Sequence, residues 1–244
     1  MKMAREQILR EMGLGPIWKL RATAAALPVA NVGEASPDAP GLLPTIAPAI
    51  AAVAPSAAMG WDELAAVVAA CRQCRLCEAR KQAVLGVGDV NADWLFVGEG
   101  PGAEEDQRGE PFVGQAGKLL DNMLAAIGLK RGQDVYIANA VKCRPPENRT
   151  PTPEEGATCR PYLECQIDLL KPRLIVALGR PAAQTLLQTE IKIAAARGKV
   201  HDYRGIPLIV TYHPAYLLRT LPDKAKAWED LCFMRQTMTV QKGG

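Results

Sequence analysis

No uninterrupted apolar run stands at the start of this chain. Met1-Lys2-Met3-Ala4-Arg5-Glu6 sets charge where a secretory leader needs hydrocarbon, so export is not expected. No later stretch qualifies as a membrane span either. The best candidate, Leu42 to Met59, is alanine-rich and broken by Pro44, Pro48 and Pro55, and proline disrupts the helix that a bilayer demands. A strong charge bias is also missing: 29 Lys and Arg stand against 26 Asp and Glu, a net charge of +3. That balance tolerates nucleic acid without arguing for it, because basic charge acts through clustering. The expectation is a soluble, cytoplasmic protein with no membrane contact. In such a reducing compartment the seven cysteines are better read as metal ligands, catalytic groups or core residues than as disulfides.

The 244 residues suffice for one α/β domain and an appendage. Residues 4–12 have the pattern of a short amphipathic helix, stopped by Gly13, Gly15 and Pro16, so residues 1–21 form a first unit. Between Ala22 and Gly60, 14 residues are Ala and 6 are Pro, which predicts a disordered linker over 22–60. The catalytic domain is expected over 61–244. There, apolar runs at 94–97, 135–138, 174–178 and 208–211 alternate with helical patterns at 116–127, 153–170, 181–187 and through Trp228. Thr152-Pro153-Glu154-Glu155 supplies a cap, a first-turn proline and a capping-box glutamate. The alternation predicts a three-layer α/β/α fold around a mainly parallel sheet of about four strands.

In such sheets ligands bind beyond the carboxyl ends of the strands. Those ends carry Gly98-Glu99-Gly100-Pro101-Gly102, Asn139, Gly179-Arg180 and His213-Pro214. Each piece alone reads more readily as an ordinary turn or strand end than as a site. Together they converge on one crevice.

With their neighbours these segments closely resemble the family-4, iron–sulfur uracil-DNA glycosylases of the uracil-glycosylase superfamily. The resemblance rests on Gly98 to Asp106, on Gly109-Glu110-Pro111-Phe112-Val113-Gly114-Gln115-Ala116-Gly117, and on Tyr136 to Pro146. It continues through Asn148-Arg149-Thr150-Pro151, Cys159-Arg160-Pro161-Tyr162-Leu163 and His213-Pro214-Ala215-Tyr216-Leu217-Leu218-Arg219, and covers about residue 66 onward. It implies cleavage of uracil from single- or double-stranded DNA by a monomer, with Glu99 activating water, His213 serving the leaving group and Glu105 a supporting acid. Gly100 and Pro101 would line the substrate site. Superfamily members with a Gln-Asp-Pro-Tyr motif exclude thymine with its tyrosine; here the matching positions are Gly100 and Gly102. No histidine lies between Cys143 and Pro151, which sets aside the superfamily members that trap uracil-DNA covalently.

Elementary chemistry runs alongside. A base must leave the stack before an enzyme can work on it, and Phe112 offers a flat, semi-exposed face for a flipped pyrimidine. Asn139 carries one amide donor and one acceptor, matching O4 and N3–H of uracil and mismatching both positions of cytosine. His213 can donate to O2, where charge grows as the base departs, and Glu99 can hold water against a cationic sugar. Lys142, Arg144, Arg149 and Arg219 can meet phosphates. Leu217 and Leu218 can fill the gap that a flipped base leaves.

Cys71, Cys74, Cys143 and Cys159 are spaced C-x2-C, then 68 residues, then C-x15-C. By spacing alone a four-thiolate zinc site and a [4Fe–4S] cluster are both open, and Cys77 competes with Cys74. The resemblance favours the cluster and makes Cys77 the spare; Cys165 and Cys232 sit in apolar helical patterns and read as core. Two further readings remain: a non-catalytic, metal-stapled nucleic-acid-binding module, and a protein partner for the N-terminal arm.

Overall fold

A computed structural model describes residues 59–243. The N-terminal helix and nearly all of the linker expected from the sequence lie outside the described residues. Helices α1 (Trp61–Ala70) and α2 (Leu76–Ala79) lead into strand β1 (Gly86–Gly88) and strand β2 (Trp94–Gly98). Helices α3 (Ala103–Arg108) and α4 (Gln115–Ala126) precede β3 (Val135–Asn139). Helix α5 (Pro153–Leu170), β4 (Leu174–Leu178), α6 (Arg180–Leu187), α7 (Ile193–Ala196), β5 (Val200–Tyr203), β6 (Ile206–Thr211), α8 (Pro214–Leu217) and α9 (Asp223–Gly243) follow.

The sheet has six strands in the order β1-β3-β2-β4-β6-β5. The four expected strands are its parallel centre, and every residue of β2, β3 and β4 is buried. The expectation of about four strands needs correction: β1 pairs antiparallel with β3, and β5 antiparallel with β6, making the sheet mixed. Neither edge carries an apolar run. β1 is Gly-Val-Gly, and a Cβ at Gly88 would lie 2.2 Å from the Val135 carbonyl oxygen, so it exists as a strand only because glycine permits the approach. β5 is largely polar and exposed on one side, as edge strands are.

Period-two alternation divides the core between the faces. Trp94, Phe96, Leu174 and Val176 pack with Leu120 and Leu124 of α4 and Leu231 and Met234 of α9. Leu95, Val97, Ile175 and Ala177 pack with Leu163 and Ile167 of α5 and Leu186 of α6. Helix α5 begins where the sequence places it, with Thr152 Oγ1 accepting from the Glu155 N–H at 3.2 Å and Glu155 accepting back from Thr152 at 2.8 Å. A third cluster joins Leu64 and Val68 of α1 to Leu76, Tyr162 and the cysteines. No helix among the described residues is long and apolar enough to cross a membrane.

The chain leaves β2 for β3 on one side, then returns past it to β4 on the other. That reversal opens a crevice at the carboxyl ends of these strands.

Candidate active site

The crevice holds a cavity of about 640 Å³. Into it converge the loop after β2 (Glu99, Gly100, Pro101), Glu105 of α3, Phe112, Asn139 at the end of β3, and His213 and Arg219 after β6. With Arg149, nine of the residues expected from the sequence line it. Arg149 reaches the cavity from the loop before α5, while Arg144 stands outside its lining and gives its Nε–H to Asn148 Oδ1 at 2.8 Å.

Asn139 is 2 % exposed, and its Oδ1 has no hydrogen-bond partner. An orphaned buried acceptor is costly, of the order of 1–3 kcal/mol, and marks a place where a donor is wanted. The side chain packs against Gly98: a Cβ there would come within 2.4 Å of Asn139 Oδ1 and 2.6 Å of the Phe112 ring. Only glycine lets amide and ring approach the same point.

Phe112 is 6 % exposed, more deeply set than the semi-exposed position expected for it, and its ring lies 5.5 Å from that of His213. Its backbone adopts φ 56, a left-handed conformation that disfavours bulky side chains. Two clamps hold it there. Glu105 Oε1 accepts from the N–H groups of Val113 (2.9 Å) and Gly114 (3.1 Å), and Oε2 accepts from Gly102 (3.1 Å). Arg131 donates to the carbonyls of Pro111 and Phe112, each at 2.8 Å. Glu105, expected as a supporting acid, therefore has both oxygens committed to backbone N–H groups and stitches two loops together. Arg131 carried no signal in the sequence.

Burial lowers the His213 imidazole to about 4, with Arg219 pushing the same way and Glu105 opposing. The ring is neutral near pH 7. Its Nδ1 accepts the Ala215 N–H at 3.1 Å, which leaves the proton on Nε2 as a donor. Burial raises the Glu99 carboxyl above its ordinary value, while the Thr150 hydroxyl and Arg180 pull it back. Thr150 and Arg180 also line the cavity. Arg180 sits at a strand end that the sequence flagged; Thr150 was quoted only as part of a motif.

Two expected DNA contacts need correction. Lys142 is 1 % exposed, and its ammonium donates to the Asn139 carbonyl at 2.8 Å and to Gln166 Oε1. It is a buried brace under β3 with no face for phosphate. Leu217 is 1 % exposed and packs in the core, whereas Leu218 is 42 % exposed. Of the leucine pair only Leu218 stands at the surface.

Cys71, Cys74, Cys143 and Cys159 share the third core cluster. Tyr162 Oη donates to Cys71 Sγ (3.2 Å), the Lys142 N–H to Cys159 Sγ (3.2 Å) and Arg80 to Cys143 Sγ (2.8 Å). Burial pushes the Cys159 thiol up to about 12 against the pull of Lys142, and it raises Cys143 against Arg80. Cys77 stands outside the cluster, with only its backbone N–H on the Cys74 carbonyl at 3.2 Å. Among the described residues no group of three or more His, Cys, Asp or Glu side chains is gathered so as to hold a metal ion.

The profile of the uracil DNA glycosylase superfamily matches residues 85–232. A type-4 uracil-DNA glycosylase of Archaeoglobus fulgidus is 47 % identical over 165 residues, covering 64 % of this chain and 82 % of that protein. One from Pyrobaculum aerophilum is 43 % identical over 181 residues, covering 71 % and 92 %. A type-5 uracil-DNA glycosylase of the same organism is 36 % identical over 146 residues, covering 53 % and 64 %. The chain belongs to the uracil DNA glycosylase superfamily and groups there with the type-4 proteins.

Proposed function

We propose that this chain hydrolyses the N-glycosidic bond of uracil in DNA, releasing free uracil and leaving an abasic site, the opening step of base excision repair. The observation that carries the reading is the buried, unpartnered Oδ1 of Asn139 beside the Phe112 ring. Uracil N3–H supplies the missing donor, and Asn139 Nδ2 answers O4. Cytosine presents an amino group and a bare ring nitrogen at those positions and leaves both mismatched. Phe112 is the shelf for the ring. His213, neutral and protonated on Nε2, donates to O2 as the bond breaks, and Glu99 holds the water that attacks the sugar. Glu105 and Arg131 position the shelf. Residues 61–244 act as the catalytic domain of a monomer, and residues 1–60 serve a protein partner.

Four thiols with three donors aimed at their sulfurs suit an iron–sulfur group. Cys71, Cys74, Cys143 and Cys159 would hold a [4Fe–4S] cluster, which supplies no electron to this hydrolysis and staples α1 to the loop after β3. Ligation must strip protons from thiols that burial keeps protonated. Protein made with ample iron should be brown and contain iron and sulfide at about four each; colourless, active protein with one zinc overturns the cluster. Replacement of any of the four should cut soluble yield, and Cys77→Ala should not.

The reading is tested by release of uracil from single- and double-stranded DNA. Asn139→Ala should lose most of it, and Asn139→Asp should weaken it while admitting some cytosine, whose amino group a carboxylate accepts. Excision at the parental rate by Asn139→Ala would falsify the selector role. Binding of DNA without release of any base would leave only the nucleic-acid-binding module.

A further inference from the structure

A second cavity of about 380 Å³ abuts the first, and Glu99, Thr150, Pro151 and Pro181 line both. Glu99 therefore faces both cavities, whereas Phe112, Asn139 and His213 face only the first. The remaining walls of the second cavity come from Ala140 and Val141 after β3, from the start of α5, through Gly156 and Ala157, and from α6 and the loop beyond it, through Gln184, Thr185 and Gln188. Its lining adds hydroxyls, amides and the carboxylate of Glu190, and no Lys or Arg. Such a surface hydrogen-bonds water and gives an anionic phosphate no counter-charge.

We propose that the second cavity delivers the attacking water to Glu99 from the side away from the base. The proposal rests on the glycosylase reading. A flipped nucleotide fills the first cavity and closes the direct path from solvent, so the nucleophile needs an entrance of its own. In the step it feeds, the C1′–N1 bond breaks and its electron pair leaves on uracil. The water oxygen bonds to C1′, one water proton passes to the Glu99 carboxylate, and that proton later reaches the uracil anion through solvent. Water and deoxyuridine in DNA become uracil and an abasic hemiacetal, with no other reactant. Thr150 lines both cavities beside Glu99, where its hydroxyl can orient the carboxylate toward the incoming water.

Obstruction of the second cavity tests this. Ala157 is exposed on helix α5, so Ala157→Phe fills space without burying strain; Thr185→Leu on α6 narrows the same space from the opposite wall. Both are made in the full chain and checked by thermal melting. Single-turnover uracil release should fall roughly tenfold in each, with unchanged affinity for uracil-containing DNA. Methanol added as a competing nucleophile gives a C1′ methyl glycoside, read by mass spectrometry. Its share of product should drop in both variants, because a narrowed entrance turns away the larger nucleophile first. Parental rates and parental methanol shares in both folded variants overturn the proposal. So does a slower reaction with an unchanged methanol share, since damaged packing slows chemistry without choosing between nucleophiles. Absence of uracil release by the parent chain defeats the glycosylase reading, and this proposal with it.

Discussion

The wall of the cavity and its rim are built on opposite principles. Along the wall, Asn139 and Phe112 are buried and His213 is half-buried, and all three are fixed by backbone contacts before any substrate arrives. Around the rim, Arg149 is exposed and already has a partner, with paired bonds of 2.6 and 2.8 Å to Glu155, and Leu218, next to the lining residue Arg219, is exposed beside it. The wall can therefore discriminate a base at little reorganisation cost. The rim must trade protein partners for phosphate and so contributes more to general affinity than to choice.

The contrast is tested hardest at the wall. His213→Ala should slow single-turnover excision roughly 10²- to 10³-fold with DNA affinity nearly unchanged. The pH profile assigns the acid limb. Glu99 is raised above its ordinary value, so its carboxylate is lost as pH falls through that raised value; His213 protonates only around 4. The acid-side loss of activity should thus follow Glu99, and the limb should vanish in a slow Glu99→Gln variant. Stability takes the other sign at His213. Its folded value lies below its unfolded one, so protonation opposes folding and stability declines as pH drops from about 6.5 toward 4. An acid limb retained by Glu99→Gln breaks the assignment.

The leucine pair gives a smaller effect. Leu217→Ala should cost about 2–5 kcal/mol of stability and slow paired and unpaired substrates alike. Leu218→Ala should leave the melting temperature near the parent value and hurt paired uracil more than unpaired, because a single strand leaves no gap to fill. Equal losses on both substrates would give Leu218 a packing role only.

Smallest is the change expected at Arg149. Its exposed ion pair contributes about 0–1 kcal/mol to folding, so Arg149→Ala should melt like the parent while the salt dependence of DNA binding loses about one unit of slope. Lys142→Met should do the reverse, lowering stability and leaving the slope alone. A drop in slope at Lys142 would return it to the rim.

The same division governs what the sequence made legible. Strand ends are fixed by apolar runs, so the sharing of one cavity by Glu99, Asn139 and His213 was legible from periodicity and resemblance, and Thr152-Pro153 announced α5 to the residue. Lys142 was misjudged because a lysine among Arg144 and Arg149 looks like surface; nothing local announces that Gln166, 24 residues on, waits as its partner. Leu217 and Leu218 are adjacent, and only the short turn of α8 decides which points inward. Arg131 and the edge strands were invisible because their roles depend on backbone groups brought from elsewhere. Burial of the cysteines together was implied by resemblance, and spacing alone left their partners open.

The left-handed backbone of Phe112 also has a mechanical side. Gly117, in the first turns of α4, lies so close that a Cβ on it would sit 1.8 Å from the Phe112 carbonyl oxygen. Shelf and helix thus touch backbone to backbone, with no side chain between them to act as a cushion. A load placed on the aromatic ring is passed directly to α4, and through Leu120 and Leu124 to the sheet beneath. The surface proposed to carry the base is as stiff as the core it leans on.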